Sequence, residues 1–324
     1  MSDYKGIAAN PEGRNFMKTN FEQAGRRWDI RRGLDNWIKN DAIGWLLLLP
    51  SLLCFTIFIW QPLASGIYTS FFETQGFELK EFIGLQNYKD IILDSSFMNA
   101  LANTWKYTLW SIVLGLFVPV IVALLLNEIF KGKTFFRFSV YFPCMVPAVV
   151  TSIMWLIMFE PSAGGFLNAV LAKFGVEPLQ WLQDSNMVIP LIVSTMTWGG
   201  FGSTTILYLA DLQSINTDLY EAIEIDGGGI FRKLRHITLP HMSGMIKMMF
   251  IMQIINVFQV FQQPLTMTGG GPNNASITLS MVAYNYAFTT MEVGKSTATS
   301  VVQGLMIAAF TIVYMKIKSK NVNE

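Results

Sequence analysis

Long apolar runs alternate with short polar connections over most of the chain. About 20 apolar residues are needed to cross a bilayer as a helix, and six stretches qualify: residues 43–71, 103–126, 135–159, 187–210, 244–263 and 297–315. Several of them contain helix breakers, namely Pro50, Pro62, Pro119, Pro143, Pro147, Gly199, Gly200 and Gly202. Such residues disrupt isolated helices but are tolerated in a membrane bundle, where neighbouring helices satisfy the freed backbone groups. The pattern predicts an all-α membrane protein with six transmembrane helices.

Composition sharpens this picture. Of the 324 residues, 52% are hydrophobic and only 14% charged, against about 25% charged in a soluble domain. Lys and Arg are distributed unevenly over the connections, which sets orientation. Eight lie before the first run; Lys131, Lys133 and Arg137 follow the second, Arg232, Lys233, Arg235 and Lys247 the fourth, and Lys316, Lys318 and Lys320 the sixth. The alternate side carries Lys80, Lys89, Lys106, Lys173 and Lys295. Both termini are therefore expected in the cytoplasm, with a segment 1–41, a membrane domain 42–318 and a tail 319–324. About 40 mostly polar residues precede the first run, too many for the charged start of a cleavable signal peptide. Within them Met17, Phe21, Ala24 and Trp28 share a helical face beside Arg26, Arg27, Arg31 and Arg32. That helix suits anionic lipid or a partner's surface; a solvated tail is the alternative.

Candidate chemistry is sparse. The net charge of +1 argues against nucleic acid as a partner. Cys54 and Cys144 lie in apolar runs, and His236 and His241 share a basic loop, so no spacing suggests a metal site. Gly132, Lys133 and Thr134 resemble the end of a phosphate loop, but Asn127 stands where the leading glycine belongs. The apolar runs hold essentially no central carboxylate or ammonium group; Lys106, Glu128, Glu160, Asp211 and Lys247 fall at or near their ends. An ion-coupled transporter usually keeps such groups in mid-membrane, so energy is expected from outside this chain, and no catalytic residue is assigned.

The connection after the fourth run is more informative. Asp218 suits a helix N-cap with Glu221 three residues on, and Leu219, Ala222 and Ile223 then share a face. Gly227, Gly228 and Gly229 end that helix, since glycine readily adopts the left-handed C-cap conformation. A second short helix carries Ile230, Phe231, Leu234 and Ile237 on one face, and Leu239 and Pro240 close the unit, Pro240 suiting the first turn of the next span. The result is a helix–turn–helix bracket, residues 216–240, fixed between two spans. An ordinary amphipathic interfacial loop is the plainer reading of the periodicity.

The spacing Glu221-Ala222, Gly227, Ile237-x-Leu239-Pro240 closely resembles the EAA loop of binding-protein-dependent ABC importer permeases, with Ile223 in place of the second alanine. Residues 212–215, 265–272 and 48–51 look like the carbohydrate branch of that family, which includes the maltose and glycerol-phosphate permeases. The resemblance implies a type I ABC importer permease fold. It also implies a bacterial cytoplasmic membrane location and a bracket that docks on a separate ATPase through Glu221, Ala222, Ile223, Asp226, Gly227, Ile237, Leu239 and Pro240. By the same resemblance the partners are a second permease subunit (a heterodimer), two ATP-binding subunits that hold ATP and Mg, an extracytoplasmic solute-binding protein and membrane lipid. This chain itself would need no cofactor.

The fifth run adds a polar row. At 100° per residue, Gln253, Asn256, Gln259 and Gln263 fall within an arc of about 120° on an ideal helix, with Phe258 and Phe261 opposite. Amides donate and accept at once, which suits sugar hydroxyls; helix–helix adhesion is the alternative role. Trp198 is a further candidate sugar contact. The expected function is a permease subunit forming half of a pathway for a carbohydrate, an oligosaccharide foremost. No residue distinguishes an acidic one, such as alginate fragments, from a neutral one. Two rivals remain: an ion-coupled secondary transporter, which needs inverted repeats, and a membrane enzyme, for which Glu221, Glu224 and Asp226 are the one acidic cluster.

Overall fold

The computed structural model describes residues 44–128 and 131–322, with side chains to Lys316. The amphipathic reading of residues 17–32 falls outside the described residues. Two units are distinguished, one ending at Ser65 and the other starting at Gly66.

The first unit contributes most of α1 (Gly44–Thr69). Its leucines 46–49, Leu52, Leu53 and Phe58 are exposed, as lipid-facing side chains must be. The Ser51 and Thr56 hydroxyls donate back to the carbonyls of Leu48 and Leu52.

Among the described residues the second unit's regular structure is helical apart from one hairpin. After α1 come β1 (Phe72–Gln75) and β2 (Glu78–Phe82), paired antiparallel around Gly76 at φ +60°. Then follow α2 (Gln86–Leu93), α3 (Ser95–Glu128), α4 (Lys133–Met145), α5 (Ala148–Met158), α6 (Phe166–Ala172) and α7 (Val188–Leu212). The chain ends with α8 (Thr217–Ile225), α9 (Ile230–Phe258), α10 (Gln262–Thr268), α11 (Leu279–Phe288) and α12 (Val293–Val322). The hairpin and the short helices α2, α6, α10 and α11 are absent from the sequence reading, because their apolar stretches are too brief to stand out against the spans.

Among the described residues four helices are long and apolar enough to cross a membrane: α1, α3, α9 and α12 over Val293–Lys316; α4 and α5 together make a fifth if they form one span. The expected third span is bent by 94° between α4 and α5. Pro147 offers no N–H and holds Val146 extended at φ −81°, ψ 127°, so the helix stops there. The expected fourth span, α7, is a continuous helix of 25 residues. Its middle carries Ser194, Thr195, Thr197, Gly199, Gly200, Gly202, Ser203, Thr204 and Thr205, and so falls short of the apolar character of the others. The reason is its position: α7 packs on α3, α4, α5 and α9, and small side chains let those helices approach closely. A Cβ at Gly202 would sit 2.2 Å from the Val140 carbonyl oxygen of α4.

The prolines are accommodated by a recurring device. Wide π-turns at Thr56–Trp60, Ile112–Leu116 and Leu234–Thr238 precede Pro62, Pro119 and Pro240 by a few residues. Proline both lacks a donor and presses its ring on the carbonyl four residues back; the extra residue of a π-turn relieves the clash without ending the helix. Three buried clusters hold the unit together. Tyr107, Ile192, Val193 and Val257 centre one, Ile91, Leu279, Met281 and Ala298 another, and Ala123, Tyr208, Leu212 and Met242 the third, beside the bracket. At the start of α3, Asp94 caps Ser96 and accepts from the Tyr286 hydroxyl. Burial works against its charge, but the bonds from Tyr286 and Ser96 outweigh that and hold the carboxyl below its ordinary range.

Candidate functional site

The bracket is built from α8, the three glycines and the first turns of α9. Its N-cap is Asn216, not Asp218: Asn216 is extended and its side chain accepts from the Asp218 N–H at 3.0 Å. Asp218 therefore sits in the first turn, where its charge favours the helix dipole, and Glu221 lies too far on to complete a capping box. At the other end Gly227 takes φ +70°. Its N–H donates to the Glu224 carbonyl at 3.0 Å and that of Gly228 to the Ile223 carbonyl at 2.8 Å, the two bonds of a Schellman cap. Gly228 is a site residue that the sequence reading passed over. A Cβ there would lie 2.4 Å from Ile223 Cγ2 and 2.9 Å from the Ile223 carbonyl oxygen.

The second arm is not a separate helix closed by Leu239 and Pro240. It runs unbroken from Ile230 into the expected fifth span, through the π-turn Leu234–Thr238. The extra residue of that turn splits the expected apolar face. Leu234 and Ile237 are half-buried, Ile237 against the cluster of Tyr208 and Met242, while Ile230 and Phe231 are 79% and 87% exposed. Glu221, Ala222, Asp226, Gly227, Leu239 and Pro240 are exposed as well, and Ile223 is half-buried. With Ile225, 87% exposed, Ile230 and Phe231 form an apolar edge of the bracket; the sequence reading places Ile230 and Phe231 on one face with Leu234 and Ile237 and does not single out Ile225.

Two ties brace the arms. The Tyr220 hydroxyl meets Thr238 Oγ1 at 3.1 Å, and Lys233 pairs with Glu224. At the root, His241 Nε2 lies 3.1 Å from Ser214 Oγ and 3.7 Å from Asp211 Oδ1, joining α9 to the end of α7. A push on α8 thus reaches α7 and α9 through short, bonded paths. Tyr220→Phe, which removes the tie to the π-turn and keeps the ring, is expected to loosen α8 by about 0.6 kcal/mol, typical of one hydrogen bond, read as a roughly threefold rise in hydrogen exchange at the α8 amides.

The polar row departs from an ideal helix. Helix α9 ends at Phe258, and Gln259 and Phe261 take φ −97° and −139° before α10 begins. Gln253, Asn256 and Gln263 nevertheless meet across the break: all three line a cavity of about 270 Å³ with Ser111, Thr197 and Thr204. Gln259 is exposed and its amide donates to the Ile255 carbonyl at 3.3 Å. Gly115 makes room for Gln253, whose Nε2 would be 2.5 Å from a Cβ there. A second cavity, about 420 Å³, lies against the α4–α5 bend and shares Met196, Gly200 and Gln263 with the first. A hydroxyl in the wall of each, Ser111 Oγ and Thr151 Oγ1, is buried without a hydrogen-bond partner among the described residues. Trp198 lines neither cavity and packs edge-on to Trp155 at 6.0 Å. The arrangement offers paired donors and acceptors without fixed charge, which is the chemistry of hydroxyl recognition.

Residues 115–318 match the family described as "Binding-protein-dependent transport system inner membrane component". The chain belongs to that family. The permease is 33% identical over 280 residues to the trehalose/maltose transport system permease protein MalF of Thermococcus litoralis, covering 86% of this chain and 94% of that one. It is 31% identical over 286 residues to the multiple sugar-binding transport system permease protein MsmF of Streptococcus mutans, covering 87% and 97%. Its fold is that of a bacterial ABC transporter involved in the import of the acidic polysaccharide alginate, at TM-score 0.79 and 22% identity over 91% of this chain and 99% of that chain. The type I permease fold expected from the EAA-like spacing is thereby found. The permease is an inner-membrane component of an importer that works with a binding protein, and ion-coupled secondary transport is not favoured.

Proposed function

We propose that this permease forms half of the translocation pathway for an oligosaccharide, driven through the bracket 216–240 by a separate ATP-hydrolysing subunit. The observation that carries the reading is the convergence of Gln253, Asn256 and Gln263 on one uncharged cavity beside the unpartnered Ser111 hydroxyl. Relatives named for trehalose/maltose, for multiple sugars and for arabinooligosaccharides support a carbohydrate cargo.

In this reading the chain spans the membrane six times, α7 and the bent α4–α5 pair each counting once, with both termini and the bracket in the cytoplasm. ATP and Mg are held by the partner subunits, two of them, and the second half of the pathway comes from a different permease chain. The exposed Ile225, Ile230 and Phe231 are the apolar edge that the ATPase covers, with Glu221, Ala222 and Gly227 in the docked surface. A cycle of ATP binding and hydrolysis moves the bracket, and α7 and α9 carry the movement to the cavity walls.

The test uses the complete importer with its binding protein. The binding protein is screened against malto-, arabino-, chito- and uronic-acid oligosaccharides, and uptake of whichever binds is then measured. Asn256→Leu and Gln263→Leu are expected to reduce uptake by at least tenfold each, without loss of the complex from the membrane. Two desolvated hydroxyl groups left unpaired, at about 1–3 kcal/mol each, suffice for that. Unchanged uptake in both variants would remove the cavity from the pathway.

A further inference from the structure

The break between α9 and α10 leaves backbone groups that have no partner within a helix, inside a region with little water to satisfy them. Their destinations can be followed one at a time. The Ile255 carbonyl accepts from the Gln259 side chain, the Asn256 carbonyl from the Gln259 N–H at 3.2 Å, and the Val257 carbonyl from the Val260 N–H at 3.1 Å. Two more, those of Phe258 and Val260, are met from elsewhere in the fold. The Gln303 amide of α12, 9% exposed, donates to the Phe258 carbonyl at 2.7 Å and, with the same nitrogen, to Ser280 Oγ at 3.1 Å. The Thr278 hydroxyl, 1% exposed, donates to the Val260 carbonyl at 2.8 Å while accepting from the Met281 N–H at the start of α11.

We infer that Gln303 and Thr278 are positioning residues that clamp the broken end of α9. They hold α10 at the angle that turns Gln263 into the cavity beside Gln253 and Asn256. That this placement serves solute passage rests on the function proposed above; the clamp itself does not. Without Gln303 the Phe258 carbonyl is buried and unpaired, and its cheapest remedy is to continue the helix or to swing toward a water-filled space. Either movement carries Gln263 with it. Because Gln303 belongs to α12 and Thr278 to the cap of α11, the clamp also makes the setting of Gln263 depend on the packing of these two helices against α9.

The experiment reads the position of Gln263 and needs no solute. In the complete importer in membranes, with Cys54→Ser and Cys144→Ser as background, the rate of reaction with a small cationic methanethiosulfonate reagent is measured at Gln263→Cys. It is measured in parallel at Thr204→Cys, which lines the same cavity from α7. Adding Gln303→Met is expected to change the rate at Gln263→Cys by at least tenfold and at Thr204→Cys by less than twofold. Thr278→Val should repeat the effect, and Thr278→Ser, which keeps the hydroxyl, should restore the original rate. Equal rates with and without Gln303→Met would overturn the clamp, and so would equal changes at both cysteines, which signify general loosening. A clamp that passes while both Asn256→Leu and Gln263→Leu leave uptake intact would leave the positioning role standing and sink the sugar pathway alone.

Discussion

Replacing Gly227 by valine is expected to lower solute uptake more than tenfold while leaving the permease inserted and assembled with its partners. Gly227 adopts φ +70°, and nothing lies within 4 Å of the place where its Cβ would be. The effect therefore comes from the backbone and not from a collision. A left-handed conformation costs an ordinary L-residue about 1–2 kcal/mol, and a β-branched one more. Valine shifts the balance away from the Schellman cap, the two bonds to Glu224 and Ile223 are lost, and α8 no longer holds a fixed angle to α9.

The neighbouring glycines sharpen the test. Gly228→Val meets Ile223 and Arg232 directly and should behave like Gly227→Val. Gly229 has a negative φ and open space around it, so Gly229→Ala should transport normally. Uptake and ATP hydrolysis by the purified importer, with immunoblotting for insertion, separate uncoupling from misfolding. Wild-type uptake by Gly227→Val would exclude the bracket's angle as a coupling element.

The second large effect is expected at Gly202, and it is of a different kind. An added Cβ falls 2.2 Å from the Val140 carbonyl oxygen and 3.0 Å from Tyr141 Cα. Both are backbone atoms, so no rotamer change relieves the contact and α4 must move away from α7. Overpacking of this type costs about 1–3 kcal/mol where side chains can adjust, and more where a helix must shift. Gly202→Val should reduce the folded permease recovered from membranes at least tenfold. Gly244→Ala, on α9 with nothing within 4 Å, should leave recovery unchanged. Size-exclusion profiles of the solubilised importer provide the measure, and a normal profile for Gly202→Val would show that α4 and α7 are not packed at this distance.

Much of the bracket was legible without coordinates because its signals are local. Gly227 could be marked because a left-handed cap favours glycine whatever surrounds it, and the spacing to Ile237, Leu239 and Pro240 is a property of the chain alone. The N-cap was misplaced by two residues because Asn216 and Asp218 are equally good caps, and only the backbone angle at Asn216 chooses between them. Gly228 was passed over for a related reason: its requirement is set by the distance to Ile223, not by its own φ. Ile230 and Phe231 were grouped with Leu234 and Ile237 on one face because an ideal helix was assumed where a π-turn intervenes.

The polar row shows the same division. That amides occur at 253, 256, 259 and 263 is written in the sequence, and their common face follows from 100° per residue only while the helix continues. The break after Phe258 invalidates that geometry, yet it brings three of the four together by another route. It persists because Gln303 and Thr278, 45 and 18 residues away from the carbonyls they serve, satisfy what the break exposes.

The sequence by itself determined the membrane class, the apolar runs and the position of the 216–240 bracket, since hydropathy over 20 residues and cap chemistry over ten are short-range quantities. Tertiary structure alone decided which runs stay straight, which glycines are irreplaceable and which polar groups share a cavity. Each of those depends on what lies opposite a residue in space. A 2.2 Å approach or a distant amide donor has no signature at the position it controls.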